Sequence, residues 1–229
     1  MTRAVLFDVD GVILDGYHAR PDGLKRWDQF LAADLGIDPV VFNEKFIKPL
    51  YVPFVLNRQK SLVNALEEAM PDLGYDGSPM HIIAAWMNRD TGLNEPLLEV
   101  IDTLRSSGAA RAYIASNQED VRAQNLWTHL GLGLHFEDIF YSARLGAAKP
   151  DPAFFAAVDR HLGPQAEPPL FFDDYTSVAA AATAHGWEGV VYDTVEDCRT
   201  HPWIAAQLKA AAATRRPSPV DDVGLDTGG

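Results

Sequence analysis

The stretch Ala4-Val5-Leu6-Phe7-Asp8-Val9-Asp10-Gly11 decides the architecture. Four apolar residues running into a polar turn closed by glycine read as a buried strand followed by a loop. Similar short apolar runs recur at 112–115, 139–141, 170–172 and 189–192. Stretches with helical spacing separate the last four. The first, 118–130, carries Val121, Leu126 and Leu130, and the second, 152–162, carries Phe154, Phe155, Val158 and Leu162; the third is the alanine-rich run 177–185. Strands alternating with helices predict an α/β fold with a parallel sheet covered on both faces. In such sheets ligands gather at the carboxyl ends of the strands, which is where the polar residues of this chain fall.

The first strand breaks the rhythm. Between Gly11 and Glu95 the pattern is almost entirely helical: Leu24, Trp27, Leu31 and Leu35 share one face, and Leu62, Leu66 and Ala69 another. Ser78-Pro79 is a helix start, a capping hydroxyl before a proline at the first helical position. The expected organisation is therefore a catalytic core of 1–14 and 95–214 with an all-helical cap of 15–94 over the strand ends. The tail 215–229, rich in Pro, Gly and Asp, is expected to be disordered or loosely docked. Trp27, Phe42, Phe46, Tyr51 and Phe54 in the cap read as lid core rather than as a dimer surface, and a monomer and a homodimer both stay open.

Composition narrows the partners. Hydrophobic residues make up 47% and charged residues 22%, the balance of a globular protein. No apolar run reaches the roughly 18 residues of a transmembrane helix, and Asp8 and Asp10 interrupt the early apolar stretch where a signal peptide would need continuity. The lone Cys198 excludes an internal disulfide and fits a reducing cytoplasm, as a passive thiol. Nineteen Lys and Arg against 32 Asp and Glu give a net charge of -13, which argues against nucleic acid and anionic membrane as partners. A phosphate site in such a field must be locally positive, through a metal ion, a placed lysine or a helix N-terminus.

Four elements carry chemistry. Asp8 and Asp10 lie two residues apart on a turn that Gly11 lets bend sharply, so both reach one reacting centre: one carboxylate attacks phosphorus while the other exchanges protons. A strand ending in Asp before a polar turn is also common without any chemistry. Ser116-Asn117 follows the second strand and suits phosphate oxygens, or else caps the helix beginning near Gln118. Lys149, between Gly146-Ala147-Ala148 and Pro150, sits where a helix opens at Asp151-Pro152 and suits an anion; the plain alternative is solvated surface charge. Asp173-Asp174 ends the fourth strand. Adjacent like charges repel unless neutralised, and a hard cation with oxygen ligands, Mg²⁺, is the simplest remedy, with a solvated acidic loop as the alternative. The order of these four along successive strands is what gives them weight.

With these residues the chain resembles the haloacid dehalogenase-like hydrolase superfamily over residues 3 to about 195, in the phosphatase branch with a helical cap between the first two core strands. FDVDGVILD is similar to its first motif, IASNQ to the second, LGAAKPDPAFF to the third and FFDDYTSVAAA to the fourth. The resemblance implies a Rossmann-like core and an Mg²⁺-dependent phosphohydrolase acting on a small phosphorylated metabolite such as a sugar phosphate. Asp8 would be nucleophile and metal ligand. Asp10 would be the general acid/base, with its backbone carbonyl facing the metal. Ser116, Asn117, Gly11 and Lys149 would hold the phosphoryl group, and Asp173 and Asp174 would complete the metal shell. Where the fourth motif often carries a further Asp or Asn, this chain has Val178, for which Thr176 or Ser177 would have to substitute. Arg20, Lys25, Arg58 and Lys60 are the cap's available cations. A phosphoglucomutase-type transfer, a 2-haloacid dehalogenase and a non-catalytic phosphate-binding descendant are the rival readings.

Overall fold

The computed structural model describes residues 2–14 and 27–214. The expected beginning of the cap, with Arg20, Leu24 and Lys25, and the expected tail 215–229 lie outside the described residues. Five strands form one parallel sheet in the order β3-β2-β1-β4-β5. They are β1 (Arg3–Phe7), β2 (Ala110–Ser116), β3 (Ile139–Tyr141), β4 (Leu170–Asp173) and β5 (Glu188–Val191). β1 is central, paired with β2 on one side and β4 on the other. Every residue of β1 is buried, as a strand covered on both faces requires.

Alternation along the strands feeds two cores, since successive side chains point to opposite faces. Val5 and Phe7, with Ile114 and Phe172, pack against Leu97, Ile101 and Leu104 of the helix Glu95–Ser106. Ala4 and Leu6, with Tyr113 and Phe171, pack on the other face against Phe154, Phe155 and Val158 of the helix Pro152–Leu162. The flanking helices thus cover both faces. Gly189 on β5 lets the sheet lie close to the helix Thr176–His185: a Cβ there would stand 2.2 Å from the Ala179 carbonyl oxygen.

Residues 27–89 are helical and bury a third cluster of their own, from Leu31 to Met87. They comprise a 3₁₀ turn Trp27–Phe30, short helices Leu31–Leu35 and Pro39–Phe42, a wide π-type segment Asn43–Val55, and longer helices Leu62–Leu73 and Pro79–Arg89. Ser78 caps the last as its sequence suggests, accepting from the Met80 amide at 3.2 Å. Trp27, Phe42, Phe46 and Tyr51 pack within this cluster, whereas Phe54 is exposed. Two chain crossings join this unit to the sheet, and Asn94 fastens them together. Its amide donates to the Val12 carbonyl at 3.0 Å and to the Tyr192 hydroxyl at 2.8 Å, and its backbone N–H donates to the Ile13 carbonyl at 2.8 Å.

The expected helix 118–130 differs in detail. It starts at Asp120, capped by Glu119 rather than by Ser116 or Asn117, and widens into a π turn at Asn125–His129. Leu126 is buried, but Val121 is 40% exposed while Arg122 beside it is buried. An arginine drawn inward by buried carboxylates takes the inner face that the apolar spacing assigned to Val121. Among the described residues no helix is long and apolar enough to cross a membrane.

Candidate active site

The carboxyl ends of β1, β2 and β4 lie side by side, so Asp8, Ser116 and Asp173 meet without any long-range coincidence beyond the sheet order. The Asp8 amide donates to the Phe172 carbonyl at 2.9 Å, which fixes the loop to the neighbouring strand. Lys149 arrives from the loop before the helix Pro152–Leu162. Its buried ammonium lies 2.9 Å from Asp8 Oδ1, and it donates to Asp173 Oδ2 at 2.6 Å and to the Ala115 carbonyl at 2.9 Å. Asn117 braces that loop by bonding both backbone groups of one residue. Its Nδ2 donates to the Lys149 carbonyl at 2.9 Å, and the Lys149 amide donates to its Oδ1 at 2.8 Å. The anions met by Lys149 are thus the site's own carboxylates.

Asp8, Asp173 and Asp174 each offer an oxygen within 4.8 Å of the others. Lys149 is the cation paired with the first two. Burial raises the Asp8 carboxyl to about 6; Lys149 opposes this, while Asp173 and Asp10 add to it. Burial disfavours the charged form of Lys149 too, but Asp8 and Asp173 hold its pKa above the usual lysine value. Asp8 Oδ1 is buried and receives no well-aligned hydrogen bond despite the nearby ammonium. Three converging carboxylates, one with an oxygen that accepts no well-aligned hydrogen bond, are a donor set suited to a hard divalent cation, and Mg²⁺ needs no more than this from protein. Gly11 makes room for the Asp174 side chain: at φ +82° a Cβ would come 2.7 Å from Asp174 Oδ2.

Asp10 is engaged elsewhere. Arg122 grips it with both arms, Nη1 donating to Oδ2 at 2.8 Å and Nη2 to Oδ1 at 2.6 Å, while Gln118 Nε2 donates to Oδ2 at 2.7 Å. Burial pushes the Asp10 carboxyl up, but the Arg122 charge and its hydrogen bonds outweigh that and leave it below the ordinary value. The same guanidinium pairs closely with Asp90 at the end of the helix Pro79–Arg89 and lies 5.6 Å from the Trp86 ring centre. Arg122, Gln118 and Asp90 were not legible as site residues. Gln118 falls inside the IASNQ stretch, but nothing in the spacing of Arg122 separates it from an ordinary helix-surface charge.

A cavity of about 270 Å³ opens over these groups, lined by Asp8, Asp10, Ser116, Asn117, Lys149 and Asp173 on one side. Val178 also lines it, while Thr176 and Ser177 point to solvent and are not part of its wall. Arg58 and Lys60 are likewise outside it: Arg58 is 3.9 Å from Asp120, and Lys60 pairs with Glu68.

A model of the haloacid dehalogenase-like hydrolase family matches residues 2–186. The fold is similar to that of a HAD family enzyme of Bacteroides thetaiotaomicron crystallised with magnesium and inorganic phosphate. The TM-score is 0.65 at 20% identity, covering 83% of this chain and 94% of that one. A predicted HAD-like family hydrolase of Porphyromonas gingivalis superimposes with a TM-score of 0.64 at 20% identity, covering 94% and 99% of the two chains. The L-2-haloacid dehalogenase of Xanthobacter autotrophicus, with chloropropionic acid covalently bound, gives 0.58 at 17% identity over 92% and 88%. The sequence has no match among curated proteins.

Proposed function

The chain belongs to the haloacid dehalogenase-like hydrolase family, and from that premise we propose that it is a magnesium-dependent phosphomonoester hydrolase working through an aspartyl-phosphate at Asp8. The observation that carries this is the convergence of carboxylate oxygens of Asp8, Asp173 and Asp174, with Lys149 ion-paired to Asp8 and Asp173. A bound Mg²⁺, held by those three carboxylates, would offset their mutual repulsion and that of the phosphoryl oxygens.

Asp8 attacks phosphorus, and the bond to the leaving oxygen breaks as the acyl-phosphate forms. Lys149 holds Asp8 and Asp173 in place and supplies positive charge at the phosphoryl group. Ser116, which lines the cavity beside Asp8, and the backbone at Gly11 contact phosphoryl oxygens. Asp10 is the acid/base. Ionised and held by Arg122, it is ready to take a proton from the water that cleaves the acyl-phosphate. To protonate the leaving oxygen it must first gain a proton, which the arriving phosphoryl charge favours by competing for the same cationic surroundings. Most of the acceleration is positioning and charge stabilisation.

Dehalogenation fits these residues less well. Displacement of halide from carbon needs the Asp8 nucleophile but neither a metal nor further carboxylates, and leaves the converging Asp173 and Asp174 and the Arg122-held Asp10 without a role. A cytoplasmic setting is supported by the single Cys198, which is buried with its thiol pushed up to about 12.

The test is phosphate release from p-nitrophenyl phosphate with Mg²⁺, with excess EDTA, and with Asp8→Asn. Release that requires the metal and disappears in the variant is expected. Chloride release from 2-chloropropionate without added metal, and no phosphate release, would assign the dehalogenase reaction instead.

A further inference from the structure

We propose that the leaving group of the substrate is compact, neutral and apolar, with neither a set of hydroxyls nor a second anionic group. This rests on the phosphohydrolase reading and names its substrate class. It departs from the sugar phosphate that resemblance alone suggests.

The cavity has two unlike sides. Its floor is the cluster of Asp8, Ser116, Asn117, Lys149 and Asp173, where the phosphoryl group is held. Its roof, formed by the helical unit, is made of Trp27, Phe42, Ile47, Val52, Leu56 and Trp86. Trp27 and Trp86 stack with ring centres 4.6 Å apart and planes 8° from parallel, and Phe42 stands edge-on to Trp27 at 5.7 Å. The part of the substrate beyond the ester oxygen therefore meets a largely apolar wall of aromatic and branched aliphatic side chains. Burying apolar surface there is favourable. A hydroxyl brought under the same roof loses its water and gains few partners. Asp28 and Tyr51 are the roof's polar lining groups, too few for the ring of hydroxyls on a hexose.

The charges of the described lining disfavour a second anion. Lys149 and Arg122 are the cations lining the cavity among the described residues. Lys149 belongs to the floor. Arg122 divides its donors among Asp10, Asp90 and Gln118. A carboxylate or second phosphate on the leaving group would face Asp10 and Asp28, and among the described residues no uncommitted lining cation is left to receive it.

The experiment compares kcat/KM of the full-length protein with Mg²⁺ for 2-phenylethyl phosphate, glycerol 1-phosphate and glucose 6-phosphate. All three release a primary alcohol, so intrinsic reactivity does not decide the order. A preference for the phenylethyl ester of about tenfold or more is expected, and Ile47→Ser and Val52→Ser should each narrow it. Equal values, a preference for either hydroxylated ester, or a ratio untouched by both substitutions would overturn the proposal. If no ester releases phosphate, the phosphohydrolase reading fails, and the roof is then tested by binding alone. Quenching of tryptophan fluorescence should occur at about tenfold lower concentration of 2-phenylethylphosphonate than of methylphosphonate. Equal midpoints would overturn the apolar assignment.

Discussion

Arg122 holds two carboxylates, the half-buried Asp10 from the loop after β1 and the buried Asp90 from the helical unit, through one guanidinium. Removing it leaves both without a cation in a desolvated place. Arg122→Met should therefore lower the unfolding free energy by about 3–5 kcal/mol, read from urea denaturation. Arg122→Lys should recover only part, because an ammonium cannot match the two-armed contact to Asp10. An unchanged midpoint for Arg122→Met would contradict the pairing. Asp8 gives a second prediction. Its carboxyl is raised to about 6 in the metal-free fold, so between the ordinary aspartate value and that point the folded state holds a proton that the unfolded state has lost. Stability from this group is present below about pH 4 and is lost as pH rises through about 6. Asp8→Asn, compared with the parent protein in EDTA, should remove that downward slope. An identical pH dependence in both would show that Asp8 is not the titrating group.

Single loops and helices decide whether these side chains meet. Asn117 holds Lys149 by both backbone groups, so Asn117→Ala should cost about 1–3 kcal/mol and impair turnover more than substrate binding. Unaltered kcat would argue that the loop is fixed by other means. Gly11→Ala places a Cβ at 2.7 Å from Asp174 Oδ2 with the backbone at φ +82°. The strain alone is about 1–2 kcal/mol, and metal-dependent activity should fall with it. At this scale the sequence was partly readable. The β1 loop stood out because a fully buried strand leaves a continuous apolar run that ends abruptly at Asp8. The lysine loop stood out through its small, turn-forming neighbours before a helix start, although a short helix separates it from β3, and the acidic pair through its place at a strand end. The helix after β2 was misjudged at Val121, since apolar spacing cannot foresee an arginine turned inward by Asp10 and Asp90. Those partners are 112 and 32 residues away along the chain, and no local pattern records such a pairing.

The whole molecule sets an acidic floor under an aromatic roof, each backed by its own buried cluster. We propose that residues 27–94 act as the cap that carries the roof. The sheet class followed from alternation along the chain. The roof did not, because Trp27, Phe42 and Tyr51 serve both as the unit's interior and as cavity wall, and only the packing tells which rings remain accessible. At this scale Mg²⁺ should bind the folded state alone. At a concentration about a hundredfold above its Kd it should add about 2.7 kcal/mol of stability, seen as a raised Tm that Asp174→Asn abolishes. A Tm indifferent to Mg²⁺ would argue against the three-carboxylate site. The central claim, that Asp8 itself takes the phosphoryl group, is tested most directly by acid-quenching the enzyme during turnover of 2-phenylethyl phosphate and mapping the modified peptide by mass. The account predicts one added phosphoryl group on the peptide spanning Asp8, absent in Asp8→Asn. Phosphate release by Asp8→Asn at the parent rate, or the label on another residue, would contradict it.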